Sequence, residues 1–209
     1  MIKKLVVTVF FITACCLFVQ AQILYGIKVS GGIATQHIDE FDISSTSLIT
    51  TFNASGVVEL PVKYGFWLQS GLGVTNKGSV LHDGALSTTT HLTYIELPLN
   101  VLRKFTFTDI GKFYIGAGGY IADGQNGHFD YLTPSSSSTE YVRFGNDNDF
   151  RKIDAGLNFL TGFELNNKLT FDVQYSFGLN NIASDPQKNT GITNIRNRLF
   201  SLGLGYLFK

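Results

Sequence analysis

The chain has 209 residues, 16 basic and 16 acidic side chains for a formal charge of zero, and 44% apolar residues. That length suits one domain, and so even a mixture of charge excludes the basic footprint of a nucleic-acid binder or the polybasic patch of a membrane-surface protein. After Gln22 no stretch approaches the ~18 apolar residues of a spanning helix, so the apolar content must be placed some other way.

The first element is "MIKKLVVTVFFITACCLFVQAQ". Lys3 and Lys4 precede an apolar run from Leu5 to Val19, and Ala21 stands before Gln22. This order of charge, apolar run and small residue predicts a secretory signal over 1–21 with cleavage after Ala21. An uncleaved anchor and a lipoprotein-type cleavage at "ITAC", which would leave Cys15 acylated, are the alternatives. Cleavage after Ala21 leaves a 22–209 domain of 209 − 21 = 188 residues. Its charge is 14 basic minus 16 acidic, or −2, and Cys15 and Cys16, the only cysteines, are gone. Burial and hydrogen bonds then have to stabilise an exported protein without disulfides.

Eight segments follow with a period of two, the signature of strands rather than helices. Tyr25, Ile27, Val29, Gly31 and Ile33 alternate with Gly26, Lys28, Ser30 and Gly32. Weaker strands are expected at about 48–63 and 65–76. Ile95, Leu97, Leu99 and Val101 alternate with Glu96 and Asn100; Phe113, Ile115 and Ala117 with Tyr114, Gly116 and Gly118; and Ile153, Ala155, Leu157 and Phe159 with Asp154, Gly156 and Asn158. "KLTFDVQYSFGLNNI" sets Leu169, Phe171, Val173, Tyr175, Phe177 and Leu179 against Thr170, Asp172, Gln174, Ser176 and Gly178. The last segment sets Phe200, Leu202, Leu204, Tyr206 and Phe208 against Ser201, Gly203 and Gly205. Short links at 63–65, 104–111 and 165–168 alternate with long polar loops at about 36–48, 77–91, 123–150 and 181–196. An even number of strands with short and long links in turn predicts an all-β, eight-stranded antiparallel up-and-down transmembrane β-barrel. The third long loop is the richest in serine, asparagine and aspartate, a composition that favours disorder.

Alternation leaves open which face looks outward, and a soluble lipocalin-like barrel would turn the apolar face inward. The polar face carries abundant glycine and the charges Lys28, Glu59, Glu96, Asp154 and Asp172, which suits a narrow lumen filled by paired side chains. Lys28 and Glu59, on neighbouring strands, are expected to pair. Tyr25, Tyr206 and Phe208 sit near strand ends, as an interfacial aromatic girdle would. Lipid therefore faces the apolar side, and eight strands leave too narrow an interior for a diffusion pore. Ser201, Gly203, Tyr206 and Phe208 fit the C-terminal β-signal read by the barrel-assembly machinery during insertion.

"YGIKVSGG", "LQSGLGVTNKGS" (68–79), "YIELPLNV" (94–101), "FYIGAGGYIADG" (113–124), "DAGLNFLTGFEL" (154–165), "YSFGLNNI" (175–182) and "NRLFSLGLGYLF" (197–208) together resemble the outer-membrane β-barrel proteins of Bacteroidetes that include the PorT-like proteins. The resemblance covers nearly all of 22–209. It implies a barrel in the cell outer membrane, with the lipid bilayer as its surroundings and no single assigned role. A protein partner at the outer loops and a part in envelope or secretion functions are the expected uses.

Catalytic chemistry has few candidates. His37, His82, His91 and His128 all fall in expected outer loops. "HDG" (82–84) offers His82 and Asp83, with Ser87 near in sequence, for a rim-site hydrolase or acyltransferase. That enzyme is the alternative to a non-enzymatic barrel. The histidines lack close metal-ligand spacing in the sequence, and "GAGG" (116–119) has no helix after it to bind phosphate. No cofactor and no nucleic-acid partner are expected.

Overall fold

The computed structural model describes residues 23–39, 46–107, 109–189, 192 and 194–208. The expected signal segment 1–21, with Cys15 and Cys16, lies outside the described residues. In chain order the elements are β1 (Leu24–Asp39), β2 (Thr46–Ser47), β3 (Ile49–Pro61), β4 (Phe66–Asp83), β5 (Leu86–Phe107), β6 (Gly111–Thr133), β7 (Ser136–Tyr141), β8 (Ile153–Leu165), β9 (Leu169–Gly178), α1 (Asp185–Asn189) and β10 (Asn194–Phe208). Eight long strands pair antiparallel in the cyclic order β1-β3-β4-β5-β6-β8-β9-β10, and β10 closes on β1 from Tyr25↔Phe208 to Asp39↔Asn194. The short β2 and β7 add to β4 and β6 outside the ring.

One end of the ring carries tight turns. Between β3 and β4, Tyr64 and Gly65 take φ of 60° and 77°, and the Phe66 amide donates to the Lys63 carbonyl. Two successive left-handed residues give a turn whose twist matches that of the strands it joins. Lys168, with φ of 73°, plays the corresponding part between β8 and β9. The expected link 104–111 is shorter than its composition suggests, because β5 runs on to Phe107.

The other end differs from expectation. The 77–91 segment is a continuous β-hairpin, paired as far as Asp83↔Leu86 around Gly84. Most of 123–150 is also strand: β6 runs to Thr133, and β7 returns along it from Thr133↔Ser136 to His128↔Tyr141. Thr88, Thr89, Thr90 and the serines of β7 hold strand geometry by backbone pairing and cross-strand contact. The large apolar residues of these extensions, such as Val80, Leu81, Phe129 and Leu132, are few and do not alternate over a sustained run, so no apolar period announces them. Among the described residues of this end, 142–152 and 179–189 form loops, and α1 makes a single turn within the second.

The two faces are inverted relative to a soluble barrel. Leu202 on the outer wall is 59% exposed while Asp154 inside is 0% exposed. Ile27, Val29, Leu72, Val74, Leu97, Leu99, Val101, Ile115, Phe159, Phe171 and Val173 share the exposed apolar belt. Glu59, Asn100, Asn158, Glu164, Ser176 and Asn197 are buried on the inner face. The lipocalin-like arrangement is thereby excluded. At the turn end the belt is edged with aromatic rings, including the Tyr206–Phe208, Phe105–Phe113 and Phe113–Phe163 contacts. Among the described residues no helix is long and apolar enough to cross a membrane; the strands cross instead.

Candidate functional site

The lumen is built around lysines, each paired with one or two carboxylates of other strands. Near the turn end, Lys104 of β5 contacts Glu59 of β3 and Glu164 of β8, the latter at 2.7 Å. Lys168 binds Glu164 from the rim at 2.8 Å, and Gln69 donates to Glu59 at 2.9 Å. The Trp67 ring covers the Lys104 ammonium at 4.5 Å. Further in, Lys28 pairs with Asp172 at 2.6 Å and donates to Gln174 at 3.3 Å. The expected Lys28–Glu59 pair is therefore not formed. Glu59 stands near the turn end within reach of Lys104, while Lys28 sits higher and meets β9 across the lumen.

Toward the hairpin end, Lys77 of β4 lies between Glu96 (2.9 Å) and Asp154 (3.0 Å), all three buried. The Asn197 amide and the Tyr120 hydroxyl donate to Asp154 at 3.0 and 3.3 Å, and the Tyr120 ring lies 3.9 Å from the Lys77 ammonium. Between these centres Asn100, Asn158 and Ser176 are hydrogen-bonded to one another. A cavity of about 60 Å³ beside Lys28, Asn53, Gln69 and Gln174 is room for a few waters, not a channel. All five lumenal charges expected from sequence face inward. Lys77, Lys104 and Glu164 are not among the charges expected from sequence: Lys77 and Lys104 fall in the expected connections 77–91 and 104–111, and Glu164 lies beyond the alternation that ends at Phe159.

Above Lys77 the lumen becomes apolar. Leu92, Tyr94, Tyr120, Ala122 and Ile195 of the strands pack with Val142 and Phe150 of one loop and Ile182 and Ala183 of the other. Backbone bridges Phe144↔Phe150 and Phe150↔Ala183 tie the loops together. The third loop, expected to be disordered, thus joins the last loop in plugging the barrel mouth.

Outside the plug, His82 and Asp83 are exposed at the tip of the β4–β5 hairpin. As successive strand residues they point to opposite faces. Among the described residues no hydrogen bond joins either to Ser87, so the elements of a rim triad are not assembled. His37 makes a 3.1 Å contact with Asp39. His91 and His128, which the sequence kept apart, are directly opposed in the β5–β6 register, their rings stacked at 4.7 Å. Both stand on the outer wall beyond the apolar belt. Partial burial, followed by the neighbouring His128, lowers the His91 pKa below the ordinary imidazole value against the opposing pull of Asp130.

A closed strand ring with an apolar outer belt, an aromatic edge and a charged, plugged interior defines a transmembrane β-barrel. The family model described as "Outer membrane protein beta-barrel domain" matches residues 18–184, and the chain belongs to that family. It is accordingly an outer-membrane protein, surrounded by the bilayer along its belt. Its fold is similar to a major outer membrane protein from Thermus thermophilus (14% identity, TM-score 0.48, covering 89% of this chain and 99% of that one). It is also similar to Neisserial surface protein A (14%, 0.46, 90% and 99%) and to the N-terminal β-barrel domain of Pseudomonas aeruginosa OprF (12%, 0.39, 90% and 100%). No curated protein matches the sequence.

Proposed function

We propose that this is a non-enzymatic outer-membrane barrel of the PorT-like type of Bacteroidetes, which presents its hairpin end to a protein partner in envelope or secretion functions. The signal over 1–21 delivers it, cleavage after Ala21 leaves the 22–209 domain, and Ser201, Gly203, Tyr206 and Phe208 hand the last strand to the barrel-assembly machinery. The observation that carries the reading is the sealed lumen. Ion pairs fill its lower part and Phe150, Val142 and Ile182 fill its mouth, which leaves the projecting hairpins as the surface for contact. Tyr141 and Leu132 on the β6–β7 hairpin are 82% and 60% exposed, a cost that an interface would offset.

The test is a photo-crosslinking residue placed at Tyr141 or Leu132 in cells, with Ile115 in the lipid belt as control. A discrete protein adduct from the hairpin, absent from the belt position, is expected. Absence of any adduct, together with an activity lost in a His82→Ala/Asp83→Asn variant, would overturn the reading in favour of the rim enzyme.

A further inference from the structure

The β5–β6 wall carries a second constellation that the lumen and plug do not use. On the outer face of this strand pair the apolar rungs end at Ile95. Beyond it come Thr93 opposite Asn126, His91 opposite His128, and Thr89 opposite Asp130. The register shifts between Thr93 and Tyr94, where β6 accommodates the extra residue Gln125. This bulge decides the chemistry. Before it, Tyr120, Ala122 and Gly124 face the interior. After it the phase reverses, so that Gly127 and Phe129 face inward and His128 and Asp130 face out. Were Gln125 paired regularly with Thr93 instead of bulged, His128 and Asp130 would point into the plug, and His91 would stand alone on the wall.

The three side chains converge. His128 Nε2 lies 3.4 Å and His91 Nε2 3.9 Å from the same Asp130 oxygen, Oδ2. A set of ligand atoms, one from each residue, all lies within 4.8 Å of one another. These separations are long for good hydrogen bonds. The shortest is close to the edge of roughly 3.3 Å that metal–ligand bonds of ~2.0–2.1 Å give in a tetrahedron, and rotation of the side chains about their χ angles would draw the longer ones in. The other carboxylate oxygen, Oδ1, accepts a 2.7 Å hydrogen bond from the Thr139 hydroxyl of β7. That bond turns Oδ2 toward the imidazoles, as an outer partner of a ligating carboxylate does. All three side chains are about two-fifths exposed, so an ion can enter from outside.

We propose that His91, His128 and Asp130 form a binding site for a divalent first-row transition metal, with Zn²⁺ as its natural probe. Two imidazoles and one carboxylate suit borderline ions such as Zn²⁺ or Cu²⁺ better than Ca²⁺ or Mg²⁺, which prefer all-oxygen shells. Three protein ligands leave a position open to water. Thr139 is a positioning residue that holds the carboxylate.

The experiment is calorimetric titration of the full-length protein, purified from outer membranes in detergent, with Zn²⁺. One ion per chain is expected. His91→Ala and His128→Ala should each weaken binding at least tenfold, and Thr139→Val about tenfold. His37→Ala and His82→Ala should leave it unchanged. Co²⁺ in place of Zn²⁺ should give the visible absorption of a tetrahedral site. Should the histidine variants fail to fold, the unaltered protein still decides: Zn²⁺ should protect His91 and His128, but not His82, from carbethoxylation. Lack of saturable binding, or binding unaffected by both His128→Ala and His91→Ala, overturns the proposal. So does equal protection of His82.

Discussion

Lys104 and Lys77 occupy equivalent positions at opposite ends of the lumen, each between two carboxylates, but their surroundings differ. At the turn end Lys168, 30% exposed, also binds Glu164, so two cations meet two anions beside a solvated rim. At the hairpin end Lys77 alone faces Glu96 and Asp154 among the described residues, and that net negative cluster lies under Tyr94, Tyr120 and the apolar plug. Burying charge costs several kcal/mol per ion, recovered only through close pairing and satisfied hydrogen bonds. The turn end distributes the task between two lysines and water, whereas the hairpin end concentrates it on one.

That contrast ranks the following effects. Lys77→Met strands two buried carboxylates and should have the largest, about 5 kcal/mol at the top of the range for breaking a buried pair. It would appear as a large fall in the melting temperature in detergent. Lys104→Met leaves Lys168 on Glu164 and strands only Glu59, so about 3 kcal/mol is expected by the same measurement. Equal losses at the two lysines would break the comparison.

The outer wall sets a scale for these figures. Val173→Arg presents a charge to lipid midway along β9 and should cost about 2 kcal/mol, the lower part of the range for lipid-facing charges near the midplane. Gln174→Arg, one residue along but facing the polar lumen, should cost less. An Arg tolerated at 173 but not at 174 would reverse the assignment of the faces. Smallest of all, Glu96→Gln removes one of two like charges and leaves Lys77 with Asp154, so about 1 kcal/mol or less is expected from urea unfolding. A loss as large as that from Lys77→Met would show that both carboxylates are needed to hold the lysine.

The strands, their number and the outward turn of the apolar face were legible because alternation extends along Leu169–Leu179 and Phe200–Phe208 without interruption. The partners inside were not. Lys28 and Glu59 belong to adjacent strands, yet side chains in a narrow ring reach across it, and Asp172 and Lys104 are the groups they meet. Register decides such pairings, and period alone does not fix register. The hairpin extensions were invisible for a related reason: among their threonines and serines, Val80, Leu81, Phe129 and Leu132 are too few and too irregularly spaced to show a period. The His91–His128 juxtaposition depends on the β5–β6 register and the Gln125 bulge, which period alone does not show. The plug was hidden by composition, since Val142, Phe144 and Phe150 are scattered among serine, asparagine and aspartate.

The seam between β1 and β10 has a temporal consequence. Gln36 and Asn197 are register partners there and hydrogen-bond at 3.0 Å across 161 residues of chain. Neighbours such as β8 and β9 can zip from a tight turn, each added pair fixing little further chain. The seam has no local route, so its loop-closure entropy falls due only after the other strands are in place. Until then β1 and β10 are both free edges in need of shelter, and every intermediate is an open sheet rather than a smaller barrel. Closure is then one late, all-or-none event, and a change at Gly32, where an added Cβ would lie 2.1 Å from the Phe200 carbonyl, should slow the last step of folding without altering how the earlier hairpins form.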